Sequence, residues 1–247
     1  MAIRIGTSGW SYPSGKGTWN GIFYPATRSK RDGTKDFDEL RFLDADADSS
    51  SDYGRTKGRA ERSVLEIKPD AVILRPSILF GPEDGFFNKF AEMARFAPAL
   101  PLIGGGHTKF QPVYVADVAE AVARSVDGTV AKGRIYELGG PEILTFRQCL
   151  ELMLKTIDRK RPFVSLPFGI ASMIGSVASL VPFIDPPLTS DQVTLLRKDN
   201  IVSDEAKKDG RTLQAIGITP VLAEVILPSY LVRYRPQGQF TRGGKAA

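Results

Sequence analysis

An α/β fold with a parallel sheet is predicted for the C-terminal four-fifths of this 247-residue chain. Short apolar runs alternate there with stretches in which apolar residues recur at helical spacing, an order typical of parallel strands joined by helices. The chain is 42% hydrophobic and 25% charged, which is enough apolar material for a core. Helices predicted at about 168–181, 189–198 and 221–231 indicate a small, mostly helical subdomain at the C-terminal end.

The individual elements follow one another closely from residue 52 onward. Asp52 is expected to cap a helix that runs to about Ile67, and the apolar run 71–74 after it suits a strand buried on both faces. The other predicted elements are a helix over 86–96, strands over 113–115, 135–138 and 163–166, a helix capped by Asp117, and a helix that ends at Ile157 and begins with a capping box of Thr145 and Gln148.

The N-terminal fifth has a different composition. Residues 27–52 hold five basic and eight acidic residues and end in an Asp/Ser-rich run, which is typical of a linker. We therefore place a boundary near residue 50. Residues 51–240 form the predicted folded domain, and residues 241–247 form a basic tail.

Composition excludes several classes of function. A single cysteine, Cys149, excludes an internal disulfide framework, and with one histidine, His107, the chain has little to offer a metal. The net charge of +5 is spread along the chain and does not predict nucleic-acid binding. No secretory signal is recognised, and the apolar stretch 166–184 is interrupted by proline, glycine and serine, so we expect a buried or interfacial helix and a cytoplasmic protein without a membrane span.

A Tyr-x-x-x-Lys motif stands at the start of the first predicted helix. Tyr53 and Lys57 are four residues apart and therefore share a helix face. The functional interpretation is a proton-transferring tyrosine beside a cation that stabilises its phenolate. The alternative is an inert pair on an amphipathic helix.

Three further motifs follow in order: Val72-Ile-Leu-Arg-Pro-Ser-Ile-Leu-Phe-Gly-Pro82, Val113-Tyr-Val-Ala-Asp-Val-Ala119 and Tyr136-Glu-Leu-Gly-Gly140. With Tyr53 and Lys57, they resemble the second half of an extended short-chain dehydrogenase/reductase. Segments 81–88, 102–114 and 226–230 narrow the resemblance to the atypical branch of the nucleotide-binding accessory subunit of respiratory complex I and its bacterial relatives.

This resemblance implies a Rossmann-type domain and NAD or NADP as cofactor. Tyr53 and Lys57 would be the ancestral catalytic pair. The segment Arg75, Pro76, Ser77 and Ile78 would flank the nicotinamide together with that pair. Complex I or another membrane-associated partner is implied, with a location on the inner-membrane face.

The sequence also departs from the family. No Gly-x-x-Gly-x-x-Gly turn of the kind that opens the family's domain is present, and residues 2–25 resemble the start of an unrelated, uncharacterised TIM-barrel family. Because pyrophosphate affinity comes mainly from that turn and its helix, we expect an incomplete Rossmann-type sheet, a non-catalytic protein, and oligomers formed through an exposed sheet edge. The alternatives are an NAD(P)-dependent oxidoreductase or nucleotide-sugar epimerase/dehydratase, and a remnant without function.

Other polar residues receive structural interpretations. The Gly104–Gly106 run does not open a helix and is expected to be a flexible turn, with His107 exposed beside it. Cys149 is expected in the core. Residues 233–247 carry four basic residues and no acid, which is compatible with attraction to anionic lipid or with an ordinary solvated terminus.

Overall fold

The computed structural model describes residues 48–178 and 190–236, with the side chains of 175–178 left out. Residues 1–47, the apolar stretch beyond residue 178 and the tail 241–247 therefore lie outside the described residues. The predicted boundary near residue 50 and the predicted exposed sheet edge both stay predictions.

Helices and short strands alternate along the described chain. The helices are α1 (Asp52–Ile67), α2 (Phe87–Phe96), α3 (Val115–Val126), α4 (Phe146–Thr156), α5 (Phe168–Ala178), α6 (Ser190–Leu195), α7 (Asp204–Lys208) and α8 (Ala223–Leu231). The strands are β1 (Ile73–Pro76), β2 (Leu79–Phe80), β3 (Leu100–Ile103), β4 (Lys109–Phe110), β5 (Val113–Tyr114), β6 (Ile135–Leu138), β7 (Leu144–Thr145) and β8 (Phe163–Leu166). Single 3₁₀ turns occur at Gly104–Gly106, Gln214–Ile216 and Val232–Tyr234.

The strands pair two by two. Strands β1 and β6, β2 and β5, and β3 and β8 are parallel, whereas β4 and β7 are antiparallel. Parallel neighbours need a crossover connection, and helices supply it between β1 and β6 and between β3 and β8. These parallel ladders confirm the predicted α/β class, and the predominance of helices after β8 confirms the helical C-terminal part.

Most element positions agree with the sequence prediction, but four details were wrong, three of them at α1 and β1. The strand predicted at 71–74 begins at Ile73, because a turn at residues 69–70, closed by the Ala71 amide donating to the Lys68 carbonyl, immediately precedes it. That strand is half-buried along its length and not fully buried. The N-cap of α1 is Ser51, whose hydroxyl accepts from the Gly54 amide, and not Asp52.

Asp117 is also not a helix cap. The chain passes from β5 directly into α3, so Tyr114 is the N-cap and Asp117 lies inside the first turn. Its carboxylate accepts a hydrogen bond from the Val221 amide at 2.9 Å and joins α3 to the segment before α8. The capping box of Thr145 and Gln148 on α4 is present as predicted.

Two hydrophobic clusters form the core. The larger cluster joins α2, α4 and α8, and its centre is a group of fully buried phenylalanines: Phe80, Phe86, Phe87, Phe90, Phe110 and Phe146. The smaller cluster surrounds β6 and contains Val113, Ala121, Tyr136, Leu138 and Leu213. Cys149 lies in the larger cluster, as expected from the sequence.

Candidate functional site

The face of α1 presents the Tyr-Lys pair. The Nζ atom of Lys57 lies 5.4 Å from the centre of the Tyr53 ring, an arrangement that is electrostatically favourable for a cation and a phenol. Both residues are half-buried, and Tyr53 also packs against the larger hydrophobic cluster. The structure therefore brings Tyr53 and Lys57 together, while their chemical role stays a prediction.

The start of α1 is held by a carboxylate from a distant part of the chain. Asp191 on α6 accepts from the Ser51 hydroxyl at 3.0 Å, from the Asp52 amide at 2.9 Å and from the Tyr53 amide at 3.2 Å. Free amides at a helix start attract a negative charge, which explains this contact. Sequence reasoning missed Asp191, because nothing near residue 191 indicates a partner about 140 residues away.

Arg75 is attached to the same helix by an ion pair. Its Nε atom lies 3.0 and 3.1 Å from the two carboxylate oxygens of Glu61, and a terminal nitrogen lies 2.5 Å from one of them. Both side chains are largely shielded, with 22% and 17% exposure. Arg75, predicted to flank a nicotinamide, is thus engaged in joining β1 to α1.

The rest of the predicted nicotinamide segment is built into the sheet. Pro76 is the last residue of β1 and pairs with Leu138. The fully buried Ser77 donates its hydroxyl to the Asn200 carbonyl at 2.8 Å and accepts from the Gln111 amide. Ile78 is buried, and its carbonyl accepts from the Val113 amide. These residues connect the ends of neighbouring strands, and Ser77 uses its polar atoms inside the protein.

The starts of the described helices bear on whether a pyrophosphate could bind. A pyrophosphate needs a helix start with open amides. Side-chain oxygens occupy that position at the start of α1 (Asp191 and Ser51), of α2 (Asp84) and of α4 (Thr145). Helices α3 and α8 carry an acid in the first turn. These five helix starts therefore do not fit a pyrophosphate.

The glycine-rich turn at Gly104–Gly106 has a defined geometry. Gly104 has φ of +58°, and a Cβ atom there would lie 2.3 Å from the Phe168 ring, so only glycine fits. The prediction of a turn that does not open a helix agrees with the structure, but the turn is closely packed. His107 follows it and is exposed, and the structure does not bring it to the Tyr-Lys pair by any described contact.

Asp84 and Tyr230 form a polar contact that sequence reasoning missed. The Tyr230 hydroxyl donates to the Asp84 carboxylate, which also accepts from the Gly81 amide at 3.3 Å and the Asn88 amide at 3.1 Å. Burial of the carboxyl group raises the pKa of Asp84, and burial together with the Asp84 charge raises the pKa of Tyr230. Segments 81–88 and 226–230 carried part of the family resemblance, but nothing in them indicated that they touch.

Three observations on the part of the chain that the structure describes concern metal ligands, the cysteine thiol and membrane spans. No cluster of three or more potential metal ligands occurs among those residues. Burial raises the pKa of the Cys149 thiol, so it stays protonated and unreactive. None of the described helices is both long and apolar enough to cross a bilayer.

Comparison with known proteins adds the family. Residues 24–139 match the NAD dependent epimerase/dehydratase family, and the match begins before the predicted boundary near residue 50. Two solved structures share the fold: gox2253, with 21% identity and a TM-score of 0.52 over 74% of this chain and 56% of that one, and DesIV of Streptomyces venezuelae, a dTDP-glucose 4,6-dehydratase with NAD and TYD bound, with 17% identity and a TM-score of 0.50 over 80% and 57%.

A curated relative is more similar in sequence. It is NADH dehydrogenase (ubiquinone) 1 alpha subcomplex subunit 9 of Arabidopsis thaliana mitochondria, 36% identical over 211 residues that make up 81% of this chain. The chain spans about half of that relative's length, 51%. The chain is therefore homologous to this NADH dehydrogenase subunit and carries, over residues 24–139, a segment of the NAD dependent epimerase/dehydratase family.

Proposed function

We propose that this protein is a non-catalytic relative of the complex I accessory subunit, which acts through its fold and its binding partners. The observation that carries the proposal is the state of Arg75 and Ser77, which the family resemblance predicted to flank the nicotinamide. Arg75 is paired with Glu61, and Ser77 is fully buried and bonded to Asn200 and Gln111. Their polar atoms bond to other groups of the protein, which supports a structural role for both residues.

The geometry of the helix starts bears on whether the domain binds a dinucleotide cofactor. NAD or NADP is expected from the family, and Tyr53 with Lys57 would contact its nicotinamide end. The five helix starts described above offer no pyrophosphate site, however, and most dinucleotide affinity arises there. We therefore propose that the described domain alone does not bind NADH or NADPH at micromolar concentration.

The proposed partner is respiratory complex I, at the cytoplasmic face of the membrane that holds it. Homology to an NADH dehydrogenase subunit supports this assignment. The tagged full chain would be expressed in the source organism. Its membranes would then be solubilised in mild detergent and separated by native electrophoresis. We expect the tag to migrate with NADH dehydrogenase activity. Recovery of the tag only outside that band would contradict the assignment.

A matched variant separates a structural from a catalytic role. Tyr53→Phe removes the phenol hydroxyl and keeps the ring that packs against the core. The variant should migrate with complex I as the unchanged protein does. In a deletion strain, it should also reverse any growth defect. Loss of function with intact assembly would show that the hydroxyl is needed and would favour catalysis.

The second candidate is an NAD(P)-dependent oxidoreductase or nucleotide-sugar epimerase. The contact between Lys57 and the Tyr53 ring supports it, because the family resemblance makes that pair the ancestral catalytic residues. Titration calorimetry with NADH and NADPH decides between the two proposals. Micromolar binding that Lys57→Ala abolishes, with Lys132→Ala as an exposed control, would favour the enzyme.

A further inference from the structure

A basic surface lies where two helices end beside one pair of strands. Strands β3 and β8 are parallel, with Leu100 opposite Phe163, and the Leu100 amide donates to the Pro162 carbonyl at 2.9 Å. Helix α2 leads into β3 and helix α4 leads into β8. The segments 94–99 and 156–162 therefore meet at the amino edge of this ladder.

Three arginines connect these segments to one another and to residues 234–235, which follow α8. Arg161 donates from Nε to the Ala94 carbonyl at 2.9 Å, Arg159 to the Tyr234 carbonyl at 2.8 Å, and Arg235 to the Thr156 carbonyl at 2.9 Å. Each bond satisfies a backbone carbonyl at or near a helix end, where cations are favoured. The three guanidinium groups are thereby fixed in place.

Further basic residues lie at these helix ends in addition to the three arginines that bond to backbone carbonyls. Arg95, Lys155 and Lys160 are exposed at the same helix ends and complete what we call the arginine patch, together with Arg159, Arg161 and Arg235. Glu92 on α2 and Asp158 in segment 156–162 are acidic neighbours of the arginine patch in sequence, and Glu224 pairs with Lys155 at 2.9 Å. Within the described ranges, the five arginine-patch residues other than Lys155 form no ion pair.

An exposed aromatic ring stands in the arginine patch. Phe96, the last residue of α2, is 76% exposed, and the Arg95 guanidinium lies 5.0 Å from the centre of its ring. Helix capping explains the Nε bonds, but it explains neither the exposed ring nor the two exposed cations Arg95 and Lys160.

We propose that the arginine patch is a docking surface for a bilayer that contains anionic phospholipid. Guanidinium groups match the geometry of phosphate oxygens, and an amphipathic surface of cations around an aromatic ring suits the headgroup region. The exposed Phe96 favours a bilayer, because its ring can enter the apolar side of the headgroup region while the surrounding cations contact the phosphates. This proposal is independent of the proposed function.

Vesicle sedimentation with the full chain tests it. Vesicles of phosphatidylcholine alone are compared with vesicles that also contain phosphatidylserine, at low and at raised salt. We expect binding to the anionic vesicles only, and its loss at raised salt because screening weakens the attraction. Failure to bind anionic vesicles, or equal binding to both kinds, would overturn the proposal, as would retention on heparin without vesicle binding.

Variants locate the surface. Arg95→Glu combined with Lys160→Glu should weaken vesicle binding by about tenfold or more, because each basic residue contributes several-fold near an anionic surface. Phe96→Ala should weaken it by roughly several-fold through lost apolar burial. The control Lys132→Glu with Arg134→Glu makes the same charge change on the exposed loop before β6 and should retain most binding. Equal loss in the control would overturn the assignment to the arginine patch, and matching melting curves would show that all variants fold.

Discussion

Two regions of the molecule are held together by different forces. Around α2, α4 and α8, buried phenylalanines contact one another, and the Phe146 ring lies 5.5 to 6.3 Å from three others. Around α1 and β1, by contrast, the buried residues of the helix are Gly54 and Gly58. Apart from the packing of Tyr53 against the larger cluster, the contacts described there are polar: Asp191 with the helix start and Glu61 with Arg75. The aromatic region secures the fold, and the region that carries Tyr53 and Lys57 is attached to it.

This difference has a physical consequence. Burial of aromatic rings supplies large, non-directional stabilisation, whereas polar contacts contribute little net energy but fix orientation. Substitutions in the aromatic region should therefore affect the whole fold, and substitutions around α1 should act locally. A fold secured away from its Tyr-Lys helix can persist whether or not that helix performs chemistry.

The largest effect is expected from Phe146→Ala. The ring is 1% exposed at the start of α4, and its removal leaves a cavity among Phe86, Phe90 and Phe110. Such a truncation costs about 3–5 kcal/mol of unfolding free energy. Urea unfolding measures it. The control Phe96→Ala removes a ring that is 76% exposed and should leave stability nearly unchanged. Equal losses in the two variants would contradict the assigned core.

Gly140→Ala should come next, and it acts through the backbone. A Cβ atom at Gly140 would lie 1.7 Å from the Pro112 carbonyl oxygen, where the Gly140 amide also donates to the Gln111 carbonyl. Because backbone must move to relieve the overlap, we expect a loss of about 3 kcal/mol by urea unfolding. The control Gly169→Ala, with no atom near its Cβ position, should not destabilise the protein. If Gly140→Ala left the unfolding free energy unchanged, the backbone after β6 would be less closely packed against the backbone before β5 than the structure indicates.

The sequence predicted much of the fold because its signals are local. The capping box of Thr145 and Gln148 and the apolar run of β6 each depend on neighbouring residues, and both were located correctly. The two-residue strands β2 and β4 could not be predicted, since their pairing depends on distant partners. The start of β1 was misplaced because a turn closed by the Lys68 carbonyl competes with the first apolar residues.

The candidate site was predictable only in part for the same reason. The spacing of Tyr53 and Lys57 fixes their shared face, which is a local property of a helix. The partners that determine what the neighbouring groups can do are distant in sequence: Asp191 for Tyr53, Asn200 for Ser77, and Tyr230 for Asp84. No periodicity or motif connects these residues, so only the tertiary structure identifies them.

Tyr230→Phe tests a polar contact within the aromatic region. The substitution keeps the ring, 8% exposed, and removes the hydroxyl that donates to the Asp84 carboxylate. A hydrogen bond to a charged group contributes about 1.5–3 kcal/mol, and we expect a loss of that size in urea unfolding at neutral pH. Ser229→Ala on the exposed side of α8 is the control and should cost less. A neutral Tyr230→Phe would mean that Asp84 is sufficiently stabilised by its backbone donors.

The pH dependence of Asp84 gives a smaller and more specific effect. Because burial raises its pKa in the folded state above the ordinary value of 3.8, the native protein takes up the proton first as the pH falls. The stabilisation by the proton is complete below the ordinary value and is lost as the pH rises through the folded pKa. The unfolding free energy of the unchanged protein should therefore rise relative to that of Asp84→Asn on acidification from neutral pH. A constant difference across this window would show that the carboxyl group is not buried in solution.

The smallest effect is expected at the start of α1, from Asp191→Ala. The substitution removes the acceptor of the Asp52 and Tyr53 amides but no buried apolar group. Loss of a helix cap costs about 1 kcal/mol, which corresponds to roughly fivefold faster amide exchange when opening is local. Hydrogen exchange of peptides over residues 50–57 measures it, and α4 should keep its protection. Glu66→Ala, at the far end of the same helix, is the matched control. Unchanged protection in Asp191→Ala would mean that Ser51 alone holds the helix start, and equal loss in α4 would mean that α1 and the aromatic region unfold as one unit.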